Sequence, residues 1–351
     1  MRYVPQLDGV RAICVALTIT NHIGPTAWYV NGTLGVDVFF ALSGFLITTL
    51  LIGEDRTTGR VCLKCFYARR FFRIAPLYYL TIALYAITAY VLFVRGIDLS
   101  RLPQMKAAAP AVLIFMGEHL PPAAGTLLGH TWTLGIEEKY YILWPLLFVA
   151  SRQLRYALRV GLLAAAVLGC WIFLANNGAR GYGGIGIGSL LAFVYARNSS
   201  QVRRTMVSIP TWVFASAFVL CYMATLATQN SIPSHFALTA VSGLLIVSLV
   251  ERRSILRNVL SSAPFVFVGK RTYGIYLLHV LVANAVTTTL AHRHLDLSWP
   301  IRGALAFAGA VLLASIAKFL LEDPMIDVGR RMARRMLDSQ RVSDVAQSEH
   351  S

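Results

Sequence analysis

The stretch LGVDVFFALSGFLITTLLI (34–52) decides the fold class, because it carries a single charged side chain, Asp37. A run of this length and apolarity matches the roughly 20 residues that an α-helix needs to cross a bilayer. Working outward, comparable apolar runs fall at 10–28, 74–94, 133–150, 160–176, 184–196, 211–229, 235–250, 265–290 and 301–321. The run at 184–196 is short and predicts a tilted or broken helix, while 107–116 is too short to span and reads as re-entrant or surface-lying. The expected fold is all-α: a polytopic membrane helical bundle of about ten transmembrane helices.

Composition agrees. Of 351 residues, 56% are hydrophobic and 14% charged, against roughly 25% charged in soluble domains, and the mean hydropathy is +0.61. The formal net charge is +16. Such an excess suits nucleic acid, an anionic membrane surface or anionic ligands. With the N-terminus inside, the ten spans put 25 of the 32 Lys and Arg on the inner side and six outside, with Lys139 within a span. This asymmetry predicts both termini in the cytoplasm and explains most of the basicity without a nucleic-acid partner. Met1–Asp8 is short and polar and precedes a run with no clear cleavage site, so the first run reads as an uncleaved helix. The sequence divides into a membrane domain at 5–325 and, at 326–351, a basic cytoplasmic segment with a polar tail expected to be disordered. No soluble domain is expected at either end, which leaves the chemistry to the bundle and its loops. Cys14, Cys170 and Cys221 lie in apolar runs as small hydrophobes. Cys62 and Cys65 form a CxxC without the second pair that a zinc site needs, so neither a metal nor a disulfide framework is expected.

Ionisable groups inside spans cost roughly 2.5–3.5 kcal/mol on insertion scales and are functional candidates by default. On the first run, Arg11 and His22 are eleven residues apart, which places them on one helix face about 16 Å apart along the axis. Arg11 suits an anionic ligand or an interfacial snorkelling role; His22, beyond mid-bilayer, suits a base or a bond to a neighbouring helix. Asp37 is expected at a similar depth, where it can orient His22 or interact with its own helix dipole. Ser43 is a candidate site residue, although Ser43 and Gly44 equally suit close helix contact. Arg70 and Arg73 share a face at i,i+3, a pattern that fits phosphate recognition or plain cytoplasmic anchoring. Of the adjacent Glu137 and Glu138, at most one should face a given pocket, with Lys139 expected to neutralise the other. His279 reads first as a helix-bridging histidine, and GYGGIGIGS (181–189) as close helix packing rather than a nucleotide loop.

Several strings, taken together and in order, resemble the acyltransferase-3 family of membrane O-acyltransferases. They are LDGVRA (7–12) with His22 beyond it, GVDVFFALSGFLI (35–47), RRFFRIAPLYY (69–79), HTWTLGIEEKYYILWPLL (130–147), GKRTYGIYLLH (269–279) and LEDP (321–324). The resemblance implies a ten-helix core in a bacterial inner membrane. It also implies transfer from cytoplasmic acyl-CoA, with acetyl-CoA the expected donor, to a hydroxyl of a surface or lipid-linked carbohydrate such as lipopolysaccharide. The family's Arg-x10-His signature falls on Arg11 and His22, its Arg-x-x-Arg signature on Arg70 and Arg73, and its glutamate motif on Trp132, Leu134 and Glu137. Thr133 stands where Ser is usual and Lys139 where Gln is usual. Some relatives carry an extracellular SGNH-type domain, which is not expected here.

The mechanism expected from this resemblance has Arg11, Arg70 and Arg73 hold acyl-CoA, with His22 as general base oriented by Asp37 or Glu137. Ser43, Trp132, Tyr141 and His279 are further candidates. Membrane lipid, acyl-CoA and a carbohydrate are the expected partners. Two alternatives stay open: acylation of a small molecule such as an antibiotic sugar, and a multi-span transporter. The transporter reading has no internal repeat to support it.

Overall fold

The computed structural model describes residues 3–20, 22–23, 34–174, 178–197, 201–228 and 231–348. Among these every regular element is helical. The first half contains α1 (Pro5–Thr20), α2 (Leu34–Thr58), α3 (Leu63–Val94), α4 (Arg101–Leu113), α5 (Trp132–Ala150), α6 (Tyr156–Phe173) and α7 (Gly184–Ala196). The second contains α8 (Gln201–Ser208), α9 (Thr211–Ala227), α10 (Ile232–Glu251), α11 (Ile255–Leu260), α12 (Ala263–Gly269), α13 (Thr272–His292), α14 (Trp299–Ala317) and α15 (Asp323–Ser348).

The protein is an all-α membrane helical protein. Six helical segments among the described residues are long and apolar enough to cross a membrane: α2, α3, α6, α10, α13 and the continuous α14–α15 segment. The other expected spans coincide with α1, α5, α7 and α9. Of these, α1, α7 and α9 are shorter than 18 residues. In α5, Glu137, Glu138 and Lys139 sit together near the start.

Helix α2 is the centre of the bundle: 67% of its apolar window is buried, against 11% for α6. A helix that is apolar all round belongs inside. Its closest partner is α7. A Cβ on Gly44 would stand 1.9 Å from the Ile185 carbonyl oxygen, and one on Gly188 would stand 2.0 Å from that of Ala41. Small residues on both sides let the two backbones touch, which is how helices gain contact where lipid offers no hydrophobic drive. The packing role expected for Gly44 and for the 181–189 run is what the structure displays.

Four features differ from the sequence reading. The first run was expected at 10–28, but α1 ends at Thr20 and His22 lies in the following turn, its amide bonded to Ile19 O. The apolar run at 265–290 is two helices, α12 and α13, broken at Lys270–Arg271. At that break Gly269 packs against the backbone of Asp8, which leaves no room for a side chain. Residues after 336 continue α15 as helix to Ser348 instead of forming a disordered tail. Met336 and Leu337, with Ala333, pack on Cys62 and Cys65, and this contact supports a helix that its polar composition alone would not. Finally, Cys62 and Cys65 are joined by a disulfide that the sequence reading did not expect. Cys62 caps α3, and the first helical turn brings the two Cα atoms to 5.3 Å, within disulfide reach.

Replacing Gly188 by Val should lower the melting temperature in mild detergent far more than Gly303→Val, where a Cβ meets nothing within 4 Å. Overpacking of this kind costs about 1–3 kcal/mol or more. Paired thermal melts followed by size-exclusion chromatography check the difference.

Candidate functional site

A cavity of about 780 Å3 opens between α1, α2, α3, α5, α13 and the start of α15. Its size falls in the range of small-molecule sites. Helix α3 begins at Leu63, so Arg70 and Arg73 stand on ordered helix and project from one face into the cavity, where α1 adds Arg11. Arg11 donates to Asp8 Oδ1 at 3.0 Å, and the other Asp8 oxygen accepts from the Tyr3 hydroxyl at 2.7 Å. Arg70 has its guanidinium 4.9 Å from the centroid of the Tyr141 ring. Neither Arg70 nor Arg73 forms an ion pair among the described residues, whereas Arg69 turns away to Glu54 at 3.6 Å. Around the mouth, Lys318 pairs with Asp323 and Arg330 with Asp327. Among the described residues Arg70, Arg73 and Lys270 are therefore the cations lining the cavity that have no fixed acidic partner, Lys270 lying over the Tyr3 ring.

The wall opposite is polar in a different way. Ser43 Oγ donates to Glu137 Oε1 at 2.7 Å, and the Tyr141 hydroxyl donates to Ser43 Oγ at 3.3 Å. Ser43, Glu137, Glu138 and Tyr141 all line the cavity. Lys139 does not neutralise Glu138 as expected: it reaches the Glu118 carboxylate and the Phe115 carbonyl. Those acceptors lie on the loop after α4, which packs along the same side of α5 as Lys139. Glu138 Oε1 is buried without a hydrogen-bond partner.

His22 is not among the described residues lining the cavity. Its ring meets that of His279 edge-on at 4.9 Å, and His279 meets His130 at 5.3 Å. His279 Nδ1 lies 2.6 Å from the Tyr276 carbonyl, so it carries the proton and leaves Nε2 as the acceptor. That Nε2 and both ring nitrogens of His130 are buried without partners. Between this cluster and the cavity stand Thr133 and Tyr276, hydroxyl to hydroxyl at 2.7 Å, with Tyr276 also donating to the His130 carbonyl.

Asp37 is engaged elsewhere. It is fully buried, holds Arg180 through two bonds at 3.0 and 3.1 Å, and meets His235 Nδ1 at 2.8 Å. The expectation that Asp37 orients His22 is corrected, because both carboxylate oxygens are taken by α10 and the turn before α7. Glu137 likewise bonds Ser43 rather than His22. Trp132 packs on Phe40 and lies 5.9 Å from the Arg180 guanidinium, outside the cavity. The structure thus gathers Arg11, Arg70, Arg73, Ser43, Glu137 and Tyr141 at one site and His22 with His279 at another.

Sequence reasoning passed over His130, His235, Arg180 and Tyr276. His235 lies in an apolar span, so the cost of an ionisable group there was the signal to follow. Arg180 was counted as an outer loop cation, and only its carboxylate partner reveals that it is buried. Among the described residues no three His, Cys, Asp or Glu side chains are arranged to hold a metal.

The family described as Acyltransferase domain matches residues 4–318. The chain is 26% identical to the peptidoglycan O-acetyltransferase OatA of Listeria monocytogenes over 92% of its own length and 56% of that protein. It is 29% identical to the O-acetyltransferase OatA of Staphylococcus aureus over 79% of its length and 50% of that protein. The chain spans about half the length of the curated relatives it matches. No solved structure matches it.

Asp37→Asn should destabilise the detergent-solubilised protein by about 3–5 kcal/mol, because it leaves Arg180 buried without its counter-charge. In a double-mutant cycle with Arg180→Gln the two losses should not add. Denaturant unfolding of the four proteins measures this, and an Asp37→Asn protein of unchanged stability would contradict it.

Proposed function

The chain belongs to the acyltransferase-3 family, and on that premise we propose that it is a membrane O-acetyltransferase. It takes an acetyl group from cytoplasmic acetyl-CoA and passes it to a hydroxyl of a surface or lipid-linked carbohydrate. The observation that carries this reading is the convergence of Arg11, Arg70 and Arg73 on one cavity. Two of them lack a fixed acidic partner, which suits a ligand bearing several phosphates. The charge asymmetry of the loops supports placing that cavity on the cytoplasmic side of a bacterial inner membrane, where acyl-CoA is found.

In this reading the arginines hold the phosphates, and the pantetheine arm extends between α2 and α5 toward Ser43 and Glu137. The Thr133–Tyr276 bond closes the inner end of the cavity, with the three histidines beyond it. His22 is the base for the acceptor hydroxyl, and His279 holds it in place by ring contact instead of the carboxylate expected from sequence. The name of the Listeria monocytogenes relative supports a carbohydrate acceptor, and both names support the acetyl group. Acetyl transfer needs a thioester donor, a base and an acceptor hydroxyl, and no metal enters these steps.

Inverted membrane vesicles given radiolabelled acetyl-CoA should label a glycan or lipid fraction. His22→Ala should lower the rate by about 10²–10⁴-fold, as for loss of a general base. Arg70→Ala should raise KM for acetyl-CoA by roughly 10- to 100-fold, as for loss of a charge-assisted bond worth about 1.5–3 kcal/mol. Wild-type vesicles that transfer no label from acetyl-CoA or longer acyl donors, but accumulate solute, would replace this reading with transport.

A further inference from the structure

The cavity and the histidine cluster are separate places. The first can hold a thioester donor; the second contains His22 but does not line that cavity. A direct transfer would have to hold the CoA thioester, the acceptor and His22 together at one moment. The cavity has its own nucleophile and base: the Ser43 hydroxyl points its proton at Glu137 Oε1, 2.7 Å away. Glu137 forms no ion pair among the described residues, so its carboxylate is not held by an arginine and is available to a proton. Tyr141 is the third member, bonded to the same Ser43 oxygen and lying beside the Arg70 guanidinium. A nucleophile and a base in hydrogen-bond contact, with a third group fixing the geometry, is the arrangement that covalent acyl transfer requires. The backbone under Ser43 is also rigid, because the next residue, Gly44, packs with no spare space against α7.

We infer that Ser43 is the residue that first receives the acetyl group, with Glu137 as its base. The inference rests on the acyltransferase reading above and extends it. Ser43 Oγ attacks the thioester carbonyl carbon while its proton passes to Glu137. The tetrahedral adduct collapses, the carbon–sulfur bond breaks, and the proton on Glu137 goes to the departing sulfur. Free CoA thiol leaves to the cytoplasm and an acetyl ester stays on Ser43. The Tyr141 hydroxyl, which donates to Ser43 Oγ, turns to the oxyanion of the tetrahedral adduct. In the second step the Thr133–Tyr276 pair parts, so that an acceptor hydroxyl on His22 reaches the ester carbonyl. His22 takes its proton, the bond from the carbonyl carbon to Ser43 Oγ breaks, and His22 returns the proton to the released Ser43 oxygen. The ester lets the acetyl group wait without its polyanionic carrier, so donor and acceptor never occupy the site together.

The test is a rapid acid quench of detergent-solubilised His22→Ala protein mixed with radiolabelled acetyl-CoA, followed by peptide mapping. Since His22 serves the second step, this variant should trap close to one acetyl group per protein on the peptide carrying Ser43. Ser43→Ala and Glu137→Gln should lose the label and lower transfer in vesicles by at least about 10³-fold. A retained upward shift of melting temperature with acetyl-CoA shows that these variants fold and bind donor. Ser43→Cys should trap the acetyl group as a thioester that hydroxylamine cleaves at neutral pH. Vesicles that transfer acetyl while no label is found on Ser43, or a Ser43→Ala protein with wild-type transfer, would overturn the inference and leave the acyltransferase reading standing. Wild-type vesicles with no transfer would overturn both.

Discussion

An ionised side chain cannot be left uncompensated in hydrocarbon, and in the apolar stretch 34–52 of α2 that constraint falls on Asp37. Near its N-terminal end Asp37 is fully buried and is held by Arg180 and His235, which ties α2 to the segment before α7 and to α10. Two turns further in, Ser43 is exposed to a cavity and bonds Glu137 of α5. Between these points the helix is apolar, and Gly44 of α2 with Gly188 of α7 brings the two backbones into contact. The two polar positions thus divide the labour. Asp37 fixes the position of the central helix, and Ser43 is thereby presented to the cavity.

The same logic distributes charge around the cavity. Arginines are expensive to bury, and Arg11 is stabilised by Asp8 on its own helix turn. Arg70 rests against aromatic faces, which provide favourable contact without removing its charge. Cations whose acidic partners are missing gain most from an anionic ligand. The unpartnered Glu138 oxygen and the bare histidine nitrogens are similar sites of stored polarity. Glu138 lines the cavity with Thr133 and Tyr276, and the histidines lie beyond that pair.

Much of the cavity lining was legible because it depends on short spacings. Arg70 and Arg73 share a face whatever surrounds them, since a helical i,i+3 pair always does. Glu137 and Tyr141 are one turn apart on α5 and line the same wall for the same reason. The partner of Asp37 was not legible by any such rule. Arg180 and His235 are 143 and 198 residues away in sequence, and a carboxylate at a given depth has many possible neighbours. Depth alone suggested His22, and depth does not say which side of the helix faces which neighbour.

Sequence by itself determined the class of solvent, most of the apolar helices and the family. Each of these depends on local composition or on order along the chain. Tertiary structure alone decided that Glu137 serves Ser43, that Asp37 serves Arg180 and His235, and that His22 sits with His279 and His130 apart from the arginines. Those choices depend on how each helix is rotated about its axis. Rotation is set by close packing at contacts such as Gly44 with Ile185 and Gly269 with Asp8, where two distant segments meet at backbone distance.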